Sequence, residues 1–140
     1  MHELTGKLVV VHPGMNYDPL GQQGKIGLIT NIIDENDTVF VRFSLHQFGV
    51  YSGDALLALR PQQELLVNLR SGIDSMKKND ILEMLNIYLL QASGRSDDIR
   101  EAITLALSSE TLSELALISV KDRIGQGLEN NKVHSLNPGR

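Results

Sequence analysis

Gly21, Gly24 and Gly27 stand three residues apart, ahead of an apolar run. Such glycines could open a phosphate-binding loop, in which backbone amides receive an anion at a helix N-terminus. Nucleotide loops of that kind follow G-x-G-x-x-G or end in Gly-Lys-Ser/Thr. The order here is G-x-x-G-x-x-G, and the residues from Ile26 to Ile33 read as a strand. The spacing therefore predicts a turn and a curved strand rather than an anion site.

The other residue types that carry chemistry are sparse. His2, His12, His46 and His134 form no H-x-x-x-H pair and no close cluster with carboxylates, so no metal site is expected. The serines lack a G-x-S-x-G elbow or a base partner. Asp97 and Asp98 sit where a helix should begin, and Ser96 to Asp98 read as an N-cap with an acidic first turn. The chain contains no cysteine, which removes disulfides, thiolate catalysis and thiolate metal ligands together. No catalytic residue, cofactor or metal is expected, and the chain reads as a non-enzyme.

What would position a binding surface is better specified. Leu8 to Val11 is a plausible first strand, closed by the turn at Pro13 and Gly14. After a long link, Ile26 to Ile33 forms a second strand, with Gly27 where a side chain would obstruct bending or close backbone approach. The acidic turn Asp34 to Asp37 leads to a third strand, Thr38 to Ser44. Its alternation directs Val39, Val41 and Phe43 inward, and Phe40 and Arg42 the other way. A short fourth strand within Gln47–Ser52, a 3₁₀ or turn segment at Asp54–Leu57, and a closing strand at Leu57–Arg60 complete the β half. Strands this short leave exposed edges unless the sheet curls, which favours a five-stranded barrel.

After Pro61 the rhythm changes. Gln62 to Arg70 is a helix or a strand; a short apolar run does not decide between them. Met76 to Ala92 reads as a helix whose broad face is Ile81, Leu85, Tyr88 and Leu89, with Leu82 beside it, and Gly94 marks its end. A second helix is lined by Ile99, Ala102, Ile103, Ala106 and Leu107. A third, capped by Ser108, Ser109 or Thr111, carries Leu112, Leu115, Leu117, Ile118, Val120 and Ile124 and stops at Gly125 and Gly127. The expected class is α+β: an N-terminal small β-barrel (residues 4–61), a connector (62–75), a three-helix packing or oligomerisation module (76–127) and a polar tail (128–140).

Composition narrows the partner. Of 140 residues, 41% are hydrophobic and 21% charged, the balance of a folded domain. The net charge of −4 divides evenly, −2 on each side of Arg70, so no basic domain offers the clustered Lys and Arg that phosphate contacts require. No apolar segment is long enough to span a bilayer, and no signal-like N-terminus is visible. A cytoplasmic protein with no membrane partner is the expectation. The apolar coverage of the helices exceeds one narrow seam; it serves packing on the barrel, a homo-oligomer contact, or both.

Gly24 to Ile29 resembles the KOW-type small-barrel motif, in which a glycine-rich turn enters a partly buried strand. Val39 to Phe43 and Tyr51 to Leu59 are similar to the broader SH3-like pattern. The resemblance covers residues 4–61 and implies a binding module for RNA, ribosomal or transcriptional proteins, peptides, or another domain. On this basis protein or peptide is the favoured partner, held at Phe40, His46, Phe48 and Tyr51, with Tyr17 and Arg42 at the margin; the other reading of Phe48 and Tyr51 is that they complete the small core. The alternative is a nucleic-acid groove of Lys25, Arg42 and Arg60 with Tyr51 stacking a base. Acidic residues 34, 35 and 37 and the overall charge weigh against it.

Overall fold

The alternation of β-branched residues before Pro61 resolves into five strands in the computed structural model, which describes residues 3–15 and 21–126. They are β1 (Leu8–Val11), β2 (Ile26–Ile33), β3 (Thr38–Ser44), β4 (Gln47–Tyr51) and β5 (Leu56–Leu59), with 3₁₀ turns at Asp34–Asn36 and Gly53–Ala55. The apolar run after Pro61 is helical: α1 (Gln62–Gly72) is followed by α2 (Lys78–Ser93), α3 (Ser96–Ala106) and α4 (Glu110–Ala116). A sixth strand, β6 (Leu117–Ser119), comes next, and residues 120–126 form α5.

The sheet is antiparallel throughout, in the order β4-β3-β2-β1-β5-β6, and it curls into a half-barrel. The sixth strand corrects the expectation of a five-stranded β half. Leu117 to Ser119 continue the helical spacing of their neighbours, yet they pair with β5, Leu59 opposite Leu117 and Leu57 opposite Ser119. The long third helix is thereby split into α4 and α5, so the expected three main helices become four, α2 to α5, and the connector supplies α1. Pairing an edge strand satisfies a row of backbone groups that a continuous helix would leave open on β5.

Strand alternation sorts the sheet into two faces, each with its own core. The concave face carries Val9, Val11, Ile29, Val39, Val41, Tyr51, Leu56 and Ala58, closed by Leu4 and by Val120 of α5. Val39 and Val41 are buried as expected, and Phe43 packs against the same cluster. On the convex face Val10 of β1 and Leu59 of β5 meet Leu65, Met84, Ile87, Ala102, Ile103 and Leu112 of the helices. The helices therefore pack on their own sheet. Each fully buried Ile, Leu or Val contributes about 1.5–3 kcal/mol relative to exposure, so this second core is a main source of stability.

Local signals explain where the helices stop and start. Gly94 follows α2 with φ 72°, and its amide donates to the Gln91 carbonyl. Only glycine adopts this left-handed cap without cost, so Gly94→Ala is expected to destabilise the protein by roughly 1–2 kcal/mol. The shift of the urea midpoint measures it. Ser109 caps α4 by accepting from the Leu112 amide at 3.1 Å. Ser96, by contrast, is the first residue of α3 rather than its cap: Arg95 occupies that position and makes no side-chain capping bond. The acidic first turn, Asp97 and Asp98, is as expected.

The inner face of α2 also differs from the sequence expectation. Met84 and Ile87 are its buried residues, with Ile81 and Tyr88 packed beside them. Leu85 and Leu89, assigned to that face with Leu82 beside it, point away and are 40%, 65% and 54% exposed in that order. A helix with apolar residues around most of its circumference gives no unique inward direction.

Candidate protein-docking surface

The register of β2, β3 and β4 builds the surface. Phe40 pairs with Val50 and Arg42 with Phe48 across β3 and β4, and Arg42 also stands opposite Leu28 of β2. Residues paired across a ladder share a face, so Phe40, Arg42, Phe48 and Val50 all lie on the convex side. A bulge at Thr30, whose hydroxyl donates to the Phe40 carbonyl, shifts β2 by one residue and brings Ile33 onto this side too. Beyond it the hairpin turns through Leu45 and His46, both exposed.

The convex face thus carries apolar residues on each strand from β4 to β5, with Asn31, Thr38 and Arg42 among them, and it is only half covered. On β1 and β5 its residues lie under α3, with Met84 and Ile87 of α2 in the same core. On β4 Phe48 and Val50 remain 59% and 57% exposed, and Leu45 at the hairpin tip 79%. Phe40 is half-buried between them. β4 is also the terminal strand of the sheet.

The expected protein-binding set divides accordingly. Phe40, His46 and Phe48 lie on or at the end of this surface. Tyr51 does not: it pairs with Val39 on the concave side, is 6% exposed, and meets Phe43 edge-on with centroids 6.3 Å apart. Its expected role as a surface contact is corrected by strand parity, since Phe48 and Tyr51 are three residues apart and must face opposite ways. Val50 and Leu45 join the surface without having been expected. The alternation that placed Val39 inward carries, through the hairpin, the signal for Val50. Tyr17 lies outside the described residues.

The nucleic-acid set is dispersed. Arg42 is exposed on the convex face, whereas Lys25 precedes β2 in the register of Gly27, which faces inward. Arg60, beyond β5, forms an ion pair with Glu64 at 3.1 Å and reaches the Glu114 carbonyl. Tyr51 as a stacking residue is corrected for the same reason as above: its ring is in the core. The glycine-rich turn is engaged as well. The Gly24 amide donates to the Val11 carbonyl and the Lys25 amide to Gln22, both at 2.9 Å, so neither is directed at an anion.

Other groups offer no competing chemistry. The Nδ1 of His12 accepts from the Gly14 amide at 2.9 Å. Among the described residues no three His, Asp or Glu side chains gather as a metal site, and no helix is long and apolar enough to cross a membrane. The Asp54 carboxyl is held below the ordinary carboxylate range, chiefly by the Ser52 hydroxyl that donates to it. That direction is opposite to what a general acid needs near neutrality. A cleft of about 310 Å³ lies in the seam between sheet and helices, walled by Leu4, Leu8, Leu59 and Ile99, with Lys7, Gln91 and Arg123 among its polar groups. Arg123 is paired with Glu3 at 3.3 Å, and the Gln91 amide donates to the Arg60 carbonyl.

Comparisons with protein-family models, with curated protein sequences and with solved structures each returned no match.

Proposed function

We propose that the protein is a non-catalytic interaction or assembly adaptor whose convex β3–β4 surface docks a protein or peptide. One observation carries this reading: a sheet face with apolar residues on every strand from β4 to β5 is sealed by the chain's own helices on one half and bare on the other. Solitary exposed apolar residues need no explanation, but a contiguous group of Phe40, Phe48, Val50 and Leu45 does. The terminal position of β4 suits an extended segment that adds to the sheet through main-chain hydrogen bonds, with these side chains supplying selectivity.

Several features support an SH3-like, KOW-related small barrel as the framework. The order β4-β3-β2-β1-β5, the long link between β1 and β2 and the 3₁₀ turn before β5 are consistent with it. Binding there is pre-formed, because the surface residues stand on paired strands and pay little ordering entropy. The apolar outer side of α2 is a second assembly surface, directed at a homo-oligomer. A cytoplasmic setting remains the expectation from the cysteine-free sequence.

Phe40→Ser and Phe48→Ser test the docking surface. Both side chains lie outside the concave core, so each variant should fold, with an unchanged far-UV circular dichroism spectrum. The proteins cross-linked to the wild type should be lost from both variants. If both variants recover the same proteins in the same amounts, the docking site lies elsewhere.

A further inference from the structure

The solvent side of α2 differs in kind from that of α3. Exposed positions of α3 include Asp97, Arg100 and Glu101, the usual charged face of a helix at a surface. On α2, every exposed residue after Lys78 is uncharged: Asn79, Leu82, Leu85, Asn86, Leu89, Ala92 and Ser93. Leu82, Leu85, Leu89 and Ala92 follow alternate steps of three and four, the spacing of a coiled-coil seam over two heptads. Asn79, Asn86 and Ser93 recur every seven residues along its flank. This seam lies on a different side of the helix from Met84 and Ile87, which fill the protein's own core.

We propose that α2 packs antiparallel against α2 of a second copy of this chain, about a two-fold axis. The proposal deepens the assembly reading above and rests on it, while using a surface separate from β3–β4. The seam matches itself: with Leu85 opposite the second copy's Leu89, Leu82 falls opposite Ala92, the pairing of unlike seam positions expected of antiparallel helices.

Charge selects this orientation and the occupant. The same arrangement sets Lys77 and Lys78, at the start of one helix, beside the C-terminal end of the other, where the last carbonyls carry the negative pole of its dipole. Lys77 and Lys78 are exposed, and among the described residues neither has an ion-pair partner. A parallel arrangement would instead bring each copy's Lys77 and Lys78 together and align the two helix dipoles unfavourably. A helix of 16 residues is about 24 Å long. One such pair falls at the small end of specific interfaces, so a reversible dimer with micromolar affinity is expected.

The test uses the full-length chain. Sedimentation equilibrium up to a few hundred micromolar should give a dimer mass for the wild type and for Phe48→Ser, and a monomer mass for Leu89→Glu. Leu89 is exposed enough that this variant should keep the wild-type melting temperature. The absence of native cysteine makes disulfide trapping clean. Chains carrying Leu85→Cys and chains carrying Leu89→Cys, mixed and mildly oxidised, should cross-link to each other several-fold faster than either does to itself. A wild type that stays monomeric, or a Leu89→Glu chain that stays dimeric, overturns the interface. Preferential self-linking of Leu85→Cys overturns the antiparallel register. Loss of the dimer in Phe48→Ser would transfer it to the β surface, overturning the helical interface without touching the docking site.

Discussion

Replacing Gly27 with alanine is expected to lower stability by about 1–3 kcal/mol, and replacing it with valine to prevent stable folding. Gly27 is buried in β2 opposite Val9. A Cβ at this position would lie 2.5 Å from Val41 Cγ1, 2.9 Å from Phe43 Cδ1 and 3.1 Å from the Arg42 carbonyl oxygen. The two side chains cannot simply retreat. Val41 is 1% exposed, and Phe43 is fixed edge-on against Tyr51. The Arg42 carbonyl belongs to a strand held on both sides by β2 and β4. Even one methyl group must therefore move two strands apart at the point where the sheet bends. For a domain of this size the alanine variant should melt roughly 4–12 °C below the wild type. An unchanged melting temperature would mean that the concave core has slack the packing does not suggest.

The second large effect is on the other core. Ile103 of α3 is completely buried in the cluster that joins Val10, Leu59 and Leu117 of the sheet to Met84, Ile87 and Leu112 of the helices. Ile103→Ala removes its outer carbons from a site walled by three other helices and the sheet, and should cost about 2–5 kcal/mol. More informative than the size is the form of the loss. Because the cluster contains strand and helix residues alike, sheet and helices should unfold together. Helix content by circular dichroism and the fluorescence of Tyr51, read in chains whose Tyr17 and Tyr88 are replaced by phenylalanine, should give coincident urea transitions with and without Ile103→Ala, displaced by the same amount. A variant in which the helices melt first, with Tyr51 still buried, would show that the β half is stable by itself.

The β half was largely legible before the structure because its local signals agree with one another. β-branched alternation, the acidic turn at Asp34–Asp37 and the stop at Pro61 place β1 to β5 within a residue or two, and Gly27 announces a close approach. What escaped depends on partners distant in sequence. Leu117 to Ser119 fit a helix by spacing alone, and only the unpaired edge of β5 makes them a strand. The inward direction of α2 is not legible in the sequence, because Leu82, Leu85 and Leu89 outweigh Met84 and Ile87 in apolar character and yet face outward. The candidate site shows both cases. Alternation within its own strand points Phe40 outward, whereas the place of Phe48 and Tyr51, surface or core, follows only from their odd separation, which sets them on opposite faces. That half of the convex face lies bare is visible only once α3, with the helices packed on it, is seen to cover the other half.

The central claim, that the bare β3–β4 surface holds a protein partner, is tested most directly by native mass spectrometry of complexes recovered from cell extract, with and without nuclease. The wild-type chain is expected in a complex heavier than its own dimer, unchanged by nuclease and released when both Phe40 and Phe48 are replaced by serine. A complex that collapses on nuclease treatment, or that survives intact in the double variant, would contradict it.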